Sequence, residues 1–128
     1  MALRDQIRIM VVDDMSTSRG LITQALDSFG VRDVAVAENG KEALHALAKR
    51  PVHLVISDYN MPEIDGLKLL HYLRAGATTK SVGFVLITGR AEQEIIDHGK
   101  KLGMNNYLKK PFQPEELRNC IEAVVGRL

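Results

Sequence analysis

Apolar runs and amphipathic stretches take turns along this chain, five of each. Residues 7–12 are mostly apolar and run into Asp13-Asp14. Ser16 or Thr17 then suits a helix cap, Leu21, Ile22, Ala25, Leu26 and Phe29 recur at helical spacing, and Gly30 is a stop. A short strand is predicted over 33–37. Asn39 caps a helix over 41–50, with Ala43, Leu44 and Leu47 inward and Pro51 ending it. The run from Val52 reaches Asp58 without polar alternation, as a strand covered on both faces does. Asp65-Gly66 opens a helix with Leu67, Leu70 and Leu73 inward. Residues 83–87 form a fourth apolar run, ending at Thr88. A weaker helix is predicted over 91–102, because Gly99 sits inside it and its stripe is only Ile95, Ile96 and Leu102. The last strand, over 105–109, leads into Lys110-Pro111. Pro114 fits a first helical turn, Glu115 and Glu116 suit its positive end, and Leu117, Cys120, Ile121, Val124, Val125 and Leu128 make its apolar stripe.

Strand–helix alternation with short connections predicts an α/β fold. The sheet is parallel, with right-handed crossovers and helices on both faces, a doubly wound (βα)5 arrangement. In such a sheet the strand ends lie side by side, and ligands bind in the crevice they form. Asp13, Asp14, Asp58, Thr88 and Lys110 all fall at strand ends. At 128 residues the chain is expected to be one domain over 1–128, with no output domain.

Composition narrows the function classes. A net charge of +1 gives no broad field for nucleic acid or an anionic membrane. No apolar stretch approaches the roughly 20 residues that span a bilayer, and no signal-peptide core is seen at the start. The single cysteine, Cys120, excludes an internal disulfide and agrees with a cytoplasmic location. No Cys/His cluster has zinc spacing, and His45, His53, His71 and His98 are scattered.

Three carboxylates in one crevice repel, and a divalent cation relieves the conflict; hard oxygen ligands favour magnesium. Asp13-Asp14 alone would serve equally as a helix-capping pair, but Asp58 on another strand end has no capping role. Lys110 and Thr88 supply an ammonium and a hydroxyl for phosphoryl oxygens. Neither glycine-rich nucleotide loop occurs. A carboxylate opposite Mg²⁺ and Lys⁺ is suited to attack phosphorus itself and form an aspartyl phosphate.

At these residues the chain resembles the response-regulator receiver domains, and among them the single-domain, CheY-like chemotaxis regulators. The resemblance covers nearly the whole length. It rests on Asp13-Asp14, on residues 55–66 from Val55 through Asp58-Tyr59-Asn60-Met61-Pro62 to Gly66, on Leu86-Ile87-Thr88-Gly89, and on residues 106–112 containing Lys110-Pro111. It implies a flavodoxin-like sheet of order 2-1-3-4-5 and phosphorylation of Asp58. Asp14 and Asp58 would ligate Mg²⁺ directly (Mn²⁺ a substitute), Asp13 through water, and the Asn60 backbone carbonyl would be a further ligand. Thr88 and Lys110 would be switch residues, Tyr107 the aromatic that turns inward, and Lys110–Pro111 a cis bond. Asn60 and Arg90 would flank the approach of hydrolytic water and tune phosphate lifetime.

The resemblance also implies partners: a chemotaxis-type sensor histidine kinase, a flagellar motor switch or other protein target, and a phosphatase. No nucleic acid, no membrane insertion and a monomer are expected, with no enzymatic turnover beyond the protein's own phosphorylation and dephosphorylation. A phosphorelay intermediate or phosphate sink would use the same residues. A small Mg²⁺-dependent phosphatase fits less well, because position 60 is Asn where such enzymes commonly carry a second Asp. Arg90 and Lys109 depart from the family pattern, and Gly99 and Gly103 are read as loosening the fourth helix.

Overall fold

The computed structural model describes residues 2–90 and 92–128. A 3-10 turn at Leu3–Asp5 leads into β1 (Arg8–Val12), α1 (Ser16–Ser28), β2 (Asp33–Ala37), α2 (Gly40–Lys49) and β3 (Leu54–Asp58). There follow α3 (Gly66–Ala75), β4 (Gly83–Thr88), α4 (Gln93–Lys101), β5 (Asn106–Lys109) and α5 (Pro114–Val125). All strand pairs are parallel, in the order β2-β1-β3-β4-β5. Alternation along the strands divides the apolar side chains between two faces. Ile9, Val11, Ile56, Val85 and Ile87 pack with Ile22 and Leu26 of α1 and with Leu117 and Ile121 of α5. Met10, Val12, Val55, Phe84 and Leu86 pack with α2, α3 and α4 through Leu47, Leu70 and Ile95. Every residue of β3 is buried, as its unbroken apolar run requires.

Side-chain chemistry starts α2, α3 and α5, whereas the N-cap residues of α1 and α4 make no side-chain cap bond. Asn39 accepts from the Glu42 N–H, and Asp65 from the Lys68 N–H. Gln113 and Glu116 form a reciprocal capping box at α5. At α1 the expected Ser16 or Thr17 cap is replaced by Met15, whose N–H donates to Asp13 Oδ1 at 3.0 Å. Asp13 reaches back from the strand end first, so the helix begins earlier than its hydroxyl residues suggest. Leu21 is a second correction: it is 61% exposed. Ile22, Ala25 and Leu26 already fill the inward stripe, and Leu21 lies a residue outside it.

The predicted start of α4 at Ala91 lies outside the described residues. Gly99, read from the sequence as loosening this helix, also has a packing role. It is buried, and an added Cβ would stand 2.8 Å from Met104 Sδ and 3.4 Å from Leu67 Cδ2. The missing side chain lets α4 close onto its neighbours. Arg74, at the end of α3, ties this region together. Its guanidinium donates to the carbonyls of Lys80, Val82 and Gly103 and to Asn105 Oδ1.

Candidate phosphoryl-transfer site

Strand register builds the site. Val12 pairs with Ser57, and Asp58 with Ile87. Asp13, Asp58 and Thr88 therefore reach the same sheet edge. Asp13 is fully buried, Asp58 is 7% exposed and Thr88 2%. Asp14 is exposed at the mouth. The three aspartates each offer a carboxylate oxygen, and these oxygens lie within 4.8 Å of one another. Lys110 enters from the segment after β5. Its Nζ is 3.0 Å from Asp58 Oδ1, 3.6 Å from Asp13 Oδ2, and donates to Ser18 Oγ at 2.9 Å. The Lys110–Pro111 peptide is cis.

A cleft of about 290 Å³ opens over this cluster, lined among others by Asp14, Asp58, Asn60, Thr88, Arg90 and Lys110. Thr88 Oγ1 accepts from the Arg90 N–H at 2.9 Å. The Arg90 guanidinium is exposed and bonds Glu92 Oε1 at 3.0 Å. Tyr107 stands outside the cleft, one strand over. It is half-buried and packs against the α3–α4 side of the sheet.

The electrostatics favour a positive guest. Burial raises the Asp58 pKa above the usual carboxylate range; the Lys110 bond and charge offset part of the rise, and Asp13 and Asp14 add smaller repulsions. Desolvation thus outweighs the carboxylate repulsion stressed from the sequence. Among the described residues, Asp13 Oδ2 is buried without a hydrogen bond. An orphaned carboxylate oxygen beside two more carboxylates is a donor set that fits a hard divalent cation. The acidic cluster can bind a metal.

Residues 9–122 match the response regulator receiver domain family. The chain belongs to that family. It is 37% identical over 128 residues to the probable chemotaxis protein CheY of Rhizobium etli, covering 100% of this chain and 99% of that one. The structure of the chemotaxis protein CheY4 of Vibrio cholerae superposes with a TM-score of 0.87 at 30% identity, over 92% of this chain and 98% of that one. The receiver domain of the sensor histidine kinase PA1611 of Pseudomonas aeruginosa, with magnesium ion coordinated in its active site cleft, gives 0.84 at 27% identity, over 94% and 98%.

Several parts of this receiver site escape a sequence reading. Ser18 and Arg19 both support it from α1: Arg19 donates to the Asp13 carbonyl at 2.8 Å and pairs with Glu38 at 3.7 Å. Ser57 Oγ donates to the Asp58 carbonyl at 2.9 Å. Gly66 is required by close approach, because a Cβ there would stand 2.6 Å from the Asp58 carbonyl oxygen.

Proposed function

We propose that the protein is a response regulator that accepts a phosphoryl group on Asp58 and, in that state, binds a protein target. The observation that carries this reading is the Lys110 ammonium 3.0 Å from a nearly buried Asp58 carboxylate within the three-aspartate cluster. An Asp58 oxygen attacks phosphorus, an O–P bond forms, and the donor's bond to phosphorus breaks. With a phosphohistidine donor, the departing imidazole keeps the electron pair of the N–P bond and takes up a proton. Asp13, Asp14 and Asp58 would hold Mg²⁺, with Mn²⁺ as substitute and the Asn60 carbonyl as a further ligand. The ion supplies charge neutralisation for the phosphoryl oxygens. Lys110 neutralises another oxygen and Thr88 donates its hydroxyl to a third.

The kinship with proteins named for chemotaxis supports a chemotaxis-type sensor histidine kinase as donor. It also supports a flagellar motor switch, or another protein, as target of the α4-β5-α5 face. No helix among the described residues is long and apolar enough to cross a membrane. The same kinship supports a cytoplasmic location, and we propose a monomer. The protein turns over no substrate beyond its own phosphoryl group. The test is labelling with acetyl phosphate and Mg²⁺, followed by peptide mapping. The expected label is on Asp58 alone. Undiminished labelling of Asp58→Asn would overturn the assignment. Pull-down with and without an acyl-phosphate mimic separates a regulator with output from a phosphate sink, which gains no partner.

A further inference from the structure

The Lys110 side chain has a place to go other than the site. It borders an open groove of about 530 Å³ between α1 and the segment after β5, lined by Met15, Thr17, Ser18, Leu21, Pro111 and Phe112 among others. Its four-carbon stem is flexible, and an unheld ammonium there would be solvated. Ser18 stands on the first turn of α1 and accepts one of the three ammonium protons at 2.9 Å. The other directions face Asp58 Oδ1 at 3.0 Å and Asp13 Oδ2 at 3.6 Å. Ser18 and Asp58 hold the nitrogen between helix and strand ends, and Asp13 adds charge attraction at longer range.

We infer that Ser18 is a positioning residue for Lys110, holding the ammonium over Asp58 so that it meets an incoming phosphoryl group already oriented. The inference rests on the reading of Asp58 as phosphoacceptor. A hydroxyl suits the role because it is neutral. It takes one N–H and leaves the full positive charge for the phosphoryl oxygens, whereas a carboxylate there would spend part of that charge. Orientation fixed in advance costs nothing at the moment of reaction. Ser18 does not line the cleft that opens over the three-aspartate cluster.

The experiment compares wild type, Ser18→Ala and Ser18→Thr for the rate of Asp58 labelling by acetyl phosphate at saturating Mg²⁺, with Mg²⁺ affinity and melting temperature measured in parallel. Threonine keeps the hydroxyl, and the open groove accepts its methyl group. Ser18→Ala is expected to label about three- to tenfold more slowly, the loss of one charge-assisted hydrogen bond partly replaced by water. Ser18→Thr is expected within about twofold of wild type on the same reasoning. Mg²⁺ affinity is expected to be unchanged in both. Wild-type labelling rates in Ser18→Ala, or a Ser18→Thr as slow as the alanine variant, would overturn the inference. So would a parallel fall in Mg²⁺ affinity or melting temperature that accounts for the slower rate. A wild-type protein that takes no label on Asp58 would instead overturn the phosphoacceptor reading, and this inference with it.

Discussion

Asp58 is held at a cost that the proposed phosphoacceptor role explains. Burial raises its pKa above the usual 3.8, with the Lys110 bond recovering only part. A carboxyl whose folded pKa exceeds its unfolded pKa contributes stability at low pH, and that contribution is lost as pH rises through the folded pKa. At neutral pH the ionised group therefore burdens the metal-free fold. Asp58→Asn is expected to raise the melting temperature at pH 7 without metal, and the gain should shrink as pH falls toward 3.8. A gain of about 1 kcal/mol would read as roughly 3–6 °C in a domain of this size. Mg²⁺ should then stabilise wild type more than the mutant, in proportion to lost binding. Calorimetry that finds equal stabilisation would remove Asp58 from the metal site. Arg90 poses a different question. Its guanidinium is tethered to Glu92 at the cleft rim, in a wet setting that weakens an arginine-finger effect. Occupancy alone suffices to shield the phosphoryl group from water. Arg90→Ala is expected to lose label several-fold faster in a decay assay after donor removal; a slower decay would show transition-state assistance. The aspartates, Thr88 and Lys110 were legible because each closes an apolar run. Ser18 was not, because its bond to Lys110 spans 92 residues and depends on how far a lysine reaches.

Periodicity located the helices, but it did not show which positions their neighbours crowd. Leu21 fits the α1 spacing yet faces solvent, because apolar spacing marks a stripe without marking its width. Gly66 and Gly99 look alike in sequence, each a helix residue of poor propensity. The structure separates them. A Cβ at Gly66 meets the Asp58 carbonyl oxygen at 2.6 Å and Tyr59 Cα at 3.0 Å, neither of which can yield without moving Asp58. A Cβ at Gly99 meets the thioether end of Met104 at 2.8 Å, which can rotate aside. Gly66→Ala is therefore expected to lose about 2 kcal/mol or more in urea denaturation and to slow Asp58 labelling. Gly99→Ala should lose under about 1 kcal/mol and label normally, since alanine recovers helix propensity. Equal losses in the two variants would show that the contact at Asp58 is no more costly to crowd than the one at Met104. The Arg74 clamp belongs to the same class of unreadable feature. Its acceptors are mainly backbone carbonyls, for which no side-chain pattern exists.

Five strand–helix units and their strand ends could be read from the chain, but the order of strands came only with the family resemblance. Local pattern does not say which side of β1 each crossover takes. That order decides how the site communicates with the surface. Placing β4 between β3 and β5 sets Thr88 beside Asp58 on one side and the Tyr107 strand on the other. Tyr107 pairs with Leu86, and Leu86 and Thr88 share a sheet face because strand side chains alternate. Drawing Thr88 toward a phosphoryl oxygen would open space on the face where Tyr107 packs, the face that α2, α3 and α4 cover. A phosphoryl group adds about −1.5 to −2 charge, and the effect on the surface is a shift between states that the target must distinguish. Because Tyr107 lies outside the cleft, it should matter to the second step and not the first. Tyr107→Ala is expected to accept label on Asp58 at a near-normal rate, yet gain little affinity for its target. In amide spectra, the changes that an acyl-phosphate mimic produces over Gln93–Lys101 should shrink while those around Asp58 persist. A folded Tyr107→Ala that fails to take label would move Tyr107 into the reaction site. A variant that labels normally and keeps the full α4 response would show that the signal leaves Thr88 by another route.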